Sequence, residues 1–399
     1  MNIMPGVSPQ TTNQRALRTL MFTQFLSAFA DNMILFITLA VIAKGGFPGF
    51  YIGVVQAAFL LAYVVLAPFV GAIADRNAKS RVLLAGNAIK GLGIVCLFAG
   101  IDPAVSYAVV GMGAAVYSPA KYGILPQLAP DEHALLKANA KIEGYTIMAI
   151  LAGSVCGGVL ADKSIPWALT ACLALYCVSL GLSLLIPKIP GNANIHYGKD
   201  ALAFFKDLAC LFKDPKTRFS LVGTGSFWMS SAALRLAIIA WIPLHLGIES
   251  LDRISMLVAV TGVGIMIGAL VTPLLMPVRK FYNVYWYGLL MFVVILLFPL
   301  ITNLYATIAL LLIVGFAGGV FIVPMNAVLQ DEGHRMVGAG KTIAVQNFVE
   351  NALMLIGVTL YTQVSGMKIS VDTSILGIAV ILALFVLYLA LQSKRAAKL

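Results

Sequence analysis

Charged side chains are scarce in this 399-residue chain: Asp, Glu, Lys and Arg make up only 11% of it, against roughly 25% in soluble domains. That shortage excludes a water-bathed globule, whose surface is built largely from ionic residues. Cysteine is limited to Cys96, Cys156, Cys172, Cys177 and Cys210, mostly inside apolar runs and without C-x-x-C spacing. They read as small hydrophobes, so neither a disulfide scaffold nor a thiolate metal site is expected. The histidines (His133, His196, His245 and His334) are scattered, with no metal-ligand spacing. His133 also lacks the aspartate four or five residues later that an acyltransferase would show, and no hydrolase triad stands out. Gly340-Lys341-Thr342 ends like a phosphate-binding loop, but Arg335 occupies the position where that loop requires glycine. No metal, cofactor or catalytic role is therefore expected. The chain before Leu20 is polar and no small-residue cleavage site follows the first apolar run, so that run is expected to remain in the mature protein.

Apolar residues are plentiful instead. The chain is 60% hydrophobic, with runs near 20–52, 53–75, 81–101, 104–128, 138–161 and 165–186, then near 219–246, 253–277, 281–301, 304–328, 340–364 and 370–392. Each run is long enough to cross a bilayer as a helix. The expected architecture is an all-α membrane protein of twelve transmembrane helices: a six-helix half (1–186), a linker (187–218) and a second six-helix half (219–399). Within the linker, Asp200–Phe212 alternates charged and apolar positions at helical spacing and predicts an amphipathic helix on the cytoplasmic membrane surface. Basic residues set the orientation. With both termini inside, the cytoplasmic segments collect Arg15, Arg18, Arg76, Lys79, Arg81, the lysines of the linker and Lys394, whereas the outer loops hold only Lys44, Lys163, Arg253 and Lys368. The net charge of +11 thus reflects topology, and no nucleic-acid partner is expected.

The halves echo each other. Ala115–Leu125 in the fourth run matches Val320–Leu329 in the tenth, aligning Pro119 with Pro324 and Lys121 with Asn326. Parallel six-helix repeats with a substrate path between them are a transporter plan. In the first run, Gln24, Asp31 and Thr38 are seven residues apart and share one helix face. A carboxylate at mid-membrane costs about 3 kcal/mol or more, so the Asp31 face should look into protein or a water-filled cavity.

Between the second and third runs, Gly71-Ala-Ile-Ala-Asp-Arg-Asn-Ala-Lys-Ser-Arg81 resembles the loop signature of the major facilitator superfamily, with Ala78 in place of its second glycine and Ser80 interrupting its basic pair. Phe25–Asn32, Tyr117–Leu125 and Gly338–Asn347, followed by Glu350-Asn351, resemble the lysophospholipid transporter branch of that superfamily. The resemblance implies a flippase of the bacterial inner membrane, multi-pass with both termini cytoplasmic, that returns lysophospholipids such as the ethanolamine and glycerol forms to the cytoplasmic leaflet by alternating access. It implies functional coupling to an acyltransferase–acyl carrier protein synthetase that reacylates them, with membrane lipids as surroundings and a monomer as the expected state. It also implies that Asp75, Arg76 and Arg81 gate access between the halves. Lys341 stands where a neutral polar residue is expected.

For such a substrate, arginine and lysine supply charge-assisted donors to phosphate while carboxylates take an amine or hydroxyl. The expected binding set is Arg235 and Lys121 for the phosphate, and Asp31 and Glu350 for the amine or glycerol. Gln24, Asn32, Tyr117, Gln346 and Asn347 complete it. Alternatively Asp31–Arg235 or Lys121–Glu143 are ion pairs that close the protein, with Glu143 then part of the gate. Lys90, one turn after Asn87, is expected to partner a nearby carboxylate. Gly111, Gly113, Gly153, Gly157, Gly158, Gly315, Gly318 and Gly319 predict close helix contacts. Two other functions fit the same composition: a proton-coupled exporter of small amphipathic molecules with Asp31 or Glu350 as proton carrier, and a membrane-embedded lipid-repair enzyme.

Overall fold

The computed structural model describes residues 9–128, 132–276 and 278–396, and these are helical with short connections. The first half runs α1 (Pro9–Lys44), α2 (Tyr51–Arg76), α3 (Lys79–Phe98), α4 (Pro103–Gly123), a short α5 (Leu125–Leu128), α6 (Glu132–Lys163) and α7 (Ile165–Leu184). Helix α8 (Tyr197–Lys213) leads into the second half: α9 (Pro215–Leu246), α10 (Leu251–Leu275), α11 (Tyr285–Leu297) with 3-10 turns at either end, α12 (Leu304–Val337), α13 (Ala339–Gly366) and α14 (Val371–Ala396). The first connection differs from the expected run boundaries: Gly45 and Gly46 end α1, Gly46 adopting a φ of +71° that favours glycine, and α2 begins only at Tyr51.

Eleven helical segments are long and apolar enough to cross a membrane. The remaining long helix, α4, has 21 residues and supplies the twelfth crossing of the fold. It carries Ser106, Tyr107, Tyr117, Ser118 and Lys121, and can do so because much of its surface is packed against α2 and α3. Polar caps sit where chains re-enter the bundle. Asp102 accepts from the amides of Ala104 and Val105, Asn303 from those of Tyr305 and Ala306, and Asp214 from those of Lys216 and Thr217. Each satisfies first-turn N–H groups that have no partner within the helix.

The same pairings recur in both halves. In the first, α1 packs on α6 and α7, α2 on α4, and α3 on α4 and α7; in the second, α9 packs on α13 and α14, α10 on α12, and α11 on α12 and α14. Glycine makes the closest of these contacts possible. A Cβ on Gly111 would collide with the backbone of Phe59, and one on Gly315 with that of Thr261, so the equivalent pairs α4–α2 and α12–α10 meet backbone to backbone. All eight glycines singled out in the sequence lie at close helix contacts, seven of them with main-chain atoms and Gly318 against the Phe227 ring.

The halves join through α2–α13 and α6–α10. At the end away from the termini they are closed: Gly53 abuts Thr362, Gly158 abuts Ser255, and Leu151 lies over Gly262. One step of seven residues further along the antiparallel α6–α10 pair the contact is gone. Space beside Gly144 is open, and Leu270 of α10 is 74% exposed. The two helices therefore part toward the end that holds the termini, leaving a slot.

Helix α8 covers the residues expected to be amphipathic. Its inner face packs on the bundle, with Phe204 and Leu211 buried among Ala67 of α2, Leu221 of α9, Leu329 of α12, and Val345 and Val349 of α13. It thus touches helices of both halves.

Candidate functional site: a central cavity with one cation

At the apex of the α6–α10 slot lies a cavity of about 140 Å³. Its walls are mainly apolar: Phe36 of α1, Ile150 and Leu151 of α6, Trp228, Leu234 and Ile238 of α9, and Val258 and Ile265 of α10. Hydroxyls of Ser154, Ser231 and Thr261 are spaced among them, and Arg235 is the charged residue of the lining. A smaller niche of about 20 Å³ shares Trp228, Ser231 and Arg235 and continues to Gln56 of α2 and Met354 of α13. Arg235 therefore stands where the two spaces join. Among the described residues it has no hydrogen bond or ion pair. Arg235 is half-buried; a partly desolvated guanidinium without a counter-charge is costly, and an anionic ligand offers the compensation the protein does not. Opposite it in the niche, the buried Oε1 of Gln56 has no hydrogen-bond partner.

Asp31 lines neither space. Its carboxylate is held inside the first half, 2.7 Å from Lys90 Nζ of α3 and 2.7 Å from the donating Tyr176 hydroxyl of α7. Lys90, 1% exposed, also donates to Ser27 Oγ at 2.8 Å and sits 4.5 Å from the centre of the Tyr117 ring. Ser27 donates to Asn87, Asn87 to Ser179, and Ser179 to the Thr23 carbonyl. The chain of bonds closes around the ion pair, as a buried charge requires. The carboxylate for Lys90 is thus Asp31, and no Asp31–Arg235 pair forms. Asp31 retains 23% side-chain exposure, so one edge of it remains reachable.

The other expected ligands fall into separate groups. Gln24 donates to Thr146 of α6 at 3.0 Å, and Asn32 donates to the Ala28 carbonyl one turn back in its own helix. Gln346 donates to Asn326 at 2.9 Å and to Glu350 at 2.8 Å, tying α13 to α12 at the position that mirrors Lys121. Asn347 offers its carbonyl to Asn351. The Lys121 ammonium lies 4.1 Å from the Tyr122 ring centre. The Tyr117 hydroxyl is buried without a partner. The side chain of Glu143 lies outside the described residues.

Among the described residues, Asp75, Arg76 and Arg81 form no ion pair between the halves. Asp75 pairs with Lys79, one turn away on the next helix, at 3.1 Å, and Arg76 stacks on the Tyr197 ring of α8 at 4.8 Å. Arg81 is exposed. The absence of such a pair agrees with the parted slot at this end. The ion pairs found nearby are Lys341–Asp207, between α13 and α8, and Lys216–Glu332, between α9 and α12.

The major facilitator superfamily profile matches residues 20–358. The chain belongs to that superfamily. Two curated relatives, both named lysophospholipid transporter LplT, place it further within the family. The protein of Serratia proteamaculans is 42% identical over 90% of both chains, and that of Salmonella typhimurium is 43% identical over 87% of this chain and 88% of its own. Among solved structures, a bacterial homologue of the human lysosomal transporter Spinster, described as inward-facing and unoccupied, aligns with a TM-score of 0.73. It is 12% identical over 96% of this chain and 97% of its own, and shares the fold. Against that family frame, Gln56 and Trp228 are the site residues that sequence reasoning missed. For Gln56 the signal was present, as an amide inside the apolar α2 run; Trp228 carries none that separates it from core.

Proposed function

We propose that this protein carries lysophospholipids across the membrane by alternating access, delivering them to the leaflet on the side of its termini. The observation that carries the reading is the unpaired Arg235 at the junction of an apolar chamber and a small polar niche. A phosphodiester is the anionic group a guanidinium grips best, through two parallel charge-assisted hydrogen bonds. The apolar chamber suits the start of a single acyl chain, and the α6–α10 slot supplies a lateral path on which the rest of that chain stays in lipid. The niche, with the free acceptor of Gln56, suits the glycerol hydroxyl left bare by the missing acyl group. The relatives named for lysophospholipid transport support the same substrate class.

In this reading the Asp31–Lys90 pair is a neutral internal strut, and an amine on the headgroup is not required for binding. Reacylation by an acyltransferase in the receiving leaflet would draw the substrate onward. Both termini then lie in the cytoplasm, as the basic residues at that end favour.

The test is translocation of lysophosphatidylethanolamine and lysophosphatidylglycerol in proteoliposomes, with and without an imposed proton gradient. Gradient-independent movement of both lipids, lost in Arg235→Ala and partly kept in Arg235→Lys, is expected. Unchanged movement in Arg235→Ala would remove Arg235 from the site. No lipid movement, with gradient-driven movement of a small amphipath, would make the protein an exporter.

A further inference from the structure

The outward stripe of α8 has no part in the cavity. Its inner face is spent on the bundle: Phe204 meets Phe348 edge-on at 5.4 Å, and Asp207 turns inward to Lys341 at 3.1 Å. On the opposite face Leu202 is 69% and Phe205 52% exposed, with Ala209 exposed one turn on. Beside that apolar line run Lys199, Lys206 and Lys213, all exposed. They are seven residues apart, so they form one row along the helix. None of the three is in an ion pair among the described residues. A single residue, Asp214, separates α8 from the membrane-crossing α9. The end of α8 is therefore anchored at the membrane boundary, where Leu202 and Phe205 can enter the acyl region while the lysine row stays at headgroup depth.

We infer that this face of α8 is a binding surface for acidic phospholipid headgroups of the leaflet on the termini side. Three lysines in one row, with no counter-charge among the described residues, complement phosphate groups that carry net negative charge. Zwitterionic lipid offers the apolar residues the same contact but gives the lysines less. Each lysine near an anionic surface favours it by about fivefold at moderate salt, and salt screening should erase that preference while leaving the apolar contact. The surface is separate from the transport cavity, so its test does not depend on the substrate.

The experiment uses the full chain with Phe205→Trp in nanodiscs, and reads the fluorescence added over the parent chain. Brominated phosphatidylglycerol is compared with brominated phosphatidylcholine at equal mole fraction. Severalfold stronger quenching by the acidic lipid, reduced to the level of the zwitterionic lipid by high salt or by Lys199→Gln, Lys206→Gln and Lys213→Gln together, is expected. Equal quenching by both lipids in the parent row would reduce the surface to a nonspecific apolar contact and overturn the inference. So would no quenching by either, which is the outcome if α8 faces water or a partner protein. The three glutamines replace exposed side chains, and unchanged thermal unfolding of the variant checks that its fold is kept.

Discussion

Consider removing one side of the Asp31–Lys90 pair. Lys90 is 1% exposed and its ammonium has one carboxylate within reach. In Asp31→Asn it keeps the Ser27 hydroxyl and the Tyr117 ring but faces an uncompensated buried charge. Breaking a buried pair this way costs about 3–5 kcal/mol, and the near-complete burial of Lys90 places this variant toward the upper end. Lys90→Met is milder. Asp31 keeps the Tyr176 hydroxyl and an exposed edge, so about 2–3 kcal/mol is expected. The double variant Asp31→Asn/Lys90→Met leaves no charge behind and should lose only about 1–2 kcal/mol, much less than the sum of the singles. Equilibrium unfolding in mixed detergent–SDS micelles reads all three. Losses that simply add would show that the two groups do not stabilise each other and would refute the pairing. The double variant also separates structure from transport. If the pair is a strut, lipid movement returns with stability; if Asp31 takes part in the transport cycle, stability returns and movement does not.

Other outcomes follow from the same geometry. Gln56→Leu removes the free acceptor in the niche while leaving Arg235 in place. It should weaken lysophospholipid uptake by about 5–10-fold, the worth of roughly one hydrogen bond to a polar substrate, with little change in stability; an unchanged uptake rate would exclude the niche. Gly158→Ala forces α6 away from Ser255 and the Leu251 backbone of α10. In a chain without native cysteines, it should raise labelling of Ser154→Cys by an impermeant maleimide added on the far side, and equal labelling would contradict closure there. At that same end Tyr51 donates to Asp102 at 2.5 Å, and this bond, followed by the amides of Ala104 and Val105, holds the Asp102 carboxyl below its ordinary value of 3.8. A carboxyl lowered by folding adds stability that is fully present above its unfolded value and is lost as pH falls below about 4 through the folded value. Asp102 is largely exposed, so the loss should be under about 1 kcal/mol, and Tyr51→Phe should flatten it in unfolding measured from pH 5 to pH 3.

Much of the fold was legible because the membrane writes its demands directly into composition: apolar runs of crossing length, six before a polar linker and six after. Arg235 was legible as a candidate site residue for the same reason, since a charge at mid-membrane is expensive wherever it appears. Its lack of a partner was not, because periodicity places a residue on a face without saying which helix meets it. That is why Asp31 and Arg235 do not pair: the counter-charge for Asp31 comes from α3, and nothing in the spacing of α1 points to it. The linker helix shows the same limit. Its amphipathic pattern was readable, but the pattern does not tell a face that docks on protein from one that docks on lipid, and α8 has both. Gln56 was readable and overlooked, one amide in a long apolar run.

The glycine contacts carry a mechanical consequence. Inside each half the atom nearest to a glycine is often main chain: the carbonyls of Phe29 and Met33 under Gly153 and Gly157, and those of Thr261 and Ile265 under Gly315 and Gly319. Across the seam between halves it is a side chain: the hydroxyls of Thr362 and Ser255 against Gly53 and Gly158, and the methyl of Leu151 against Gly262. Main chain cannot step aside, whereas a side chain can move to another rotamer. Each half is therefore a stiff jaw, and the seam works as a bearing whose lubricant is three rotatable side chains. Replacing Thr362 and Ser255, which do not line the cavity, with bulkier groups should slow the rocking of the jaws without altering either one, so the speed of carriage is set partly away from the place where cargo is held.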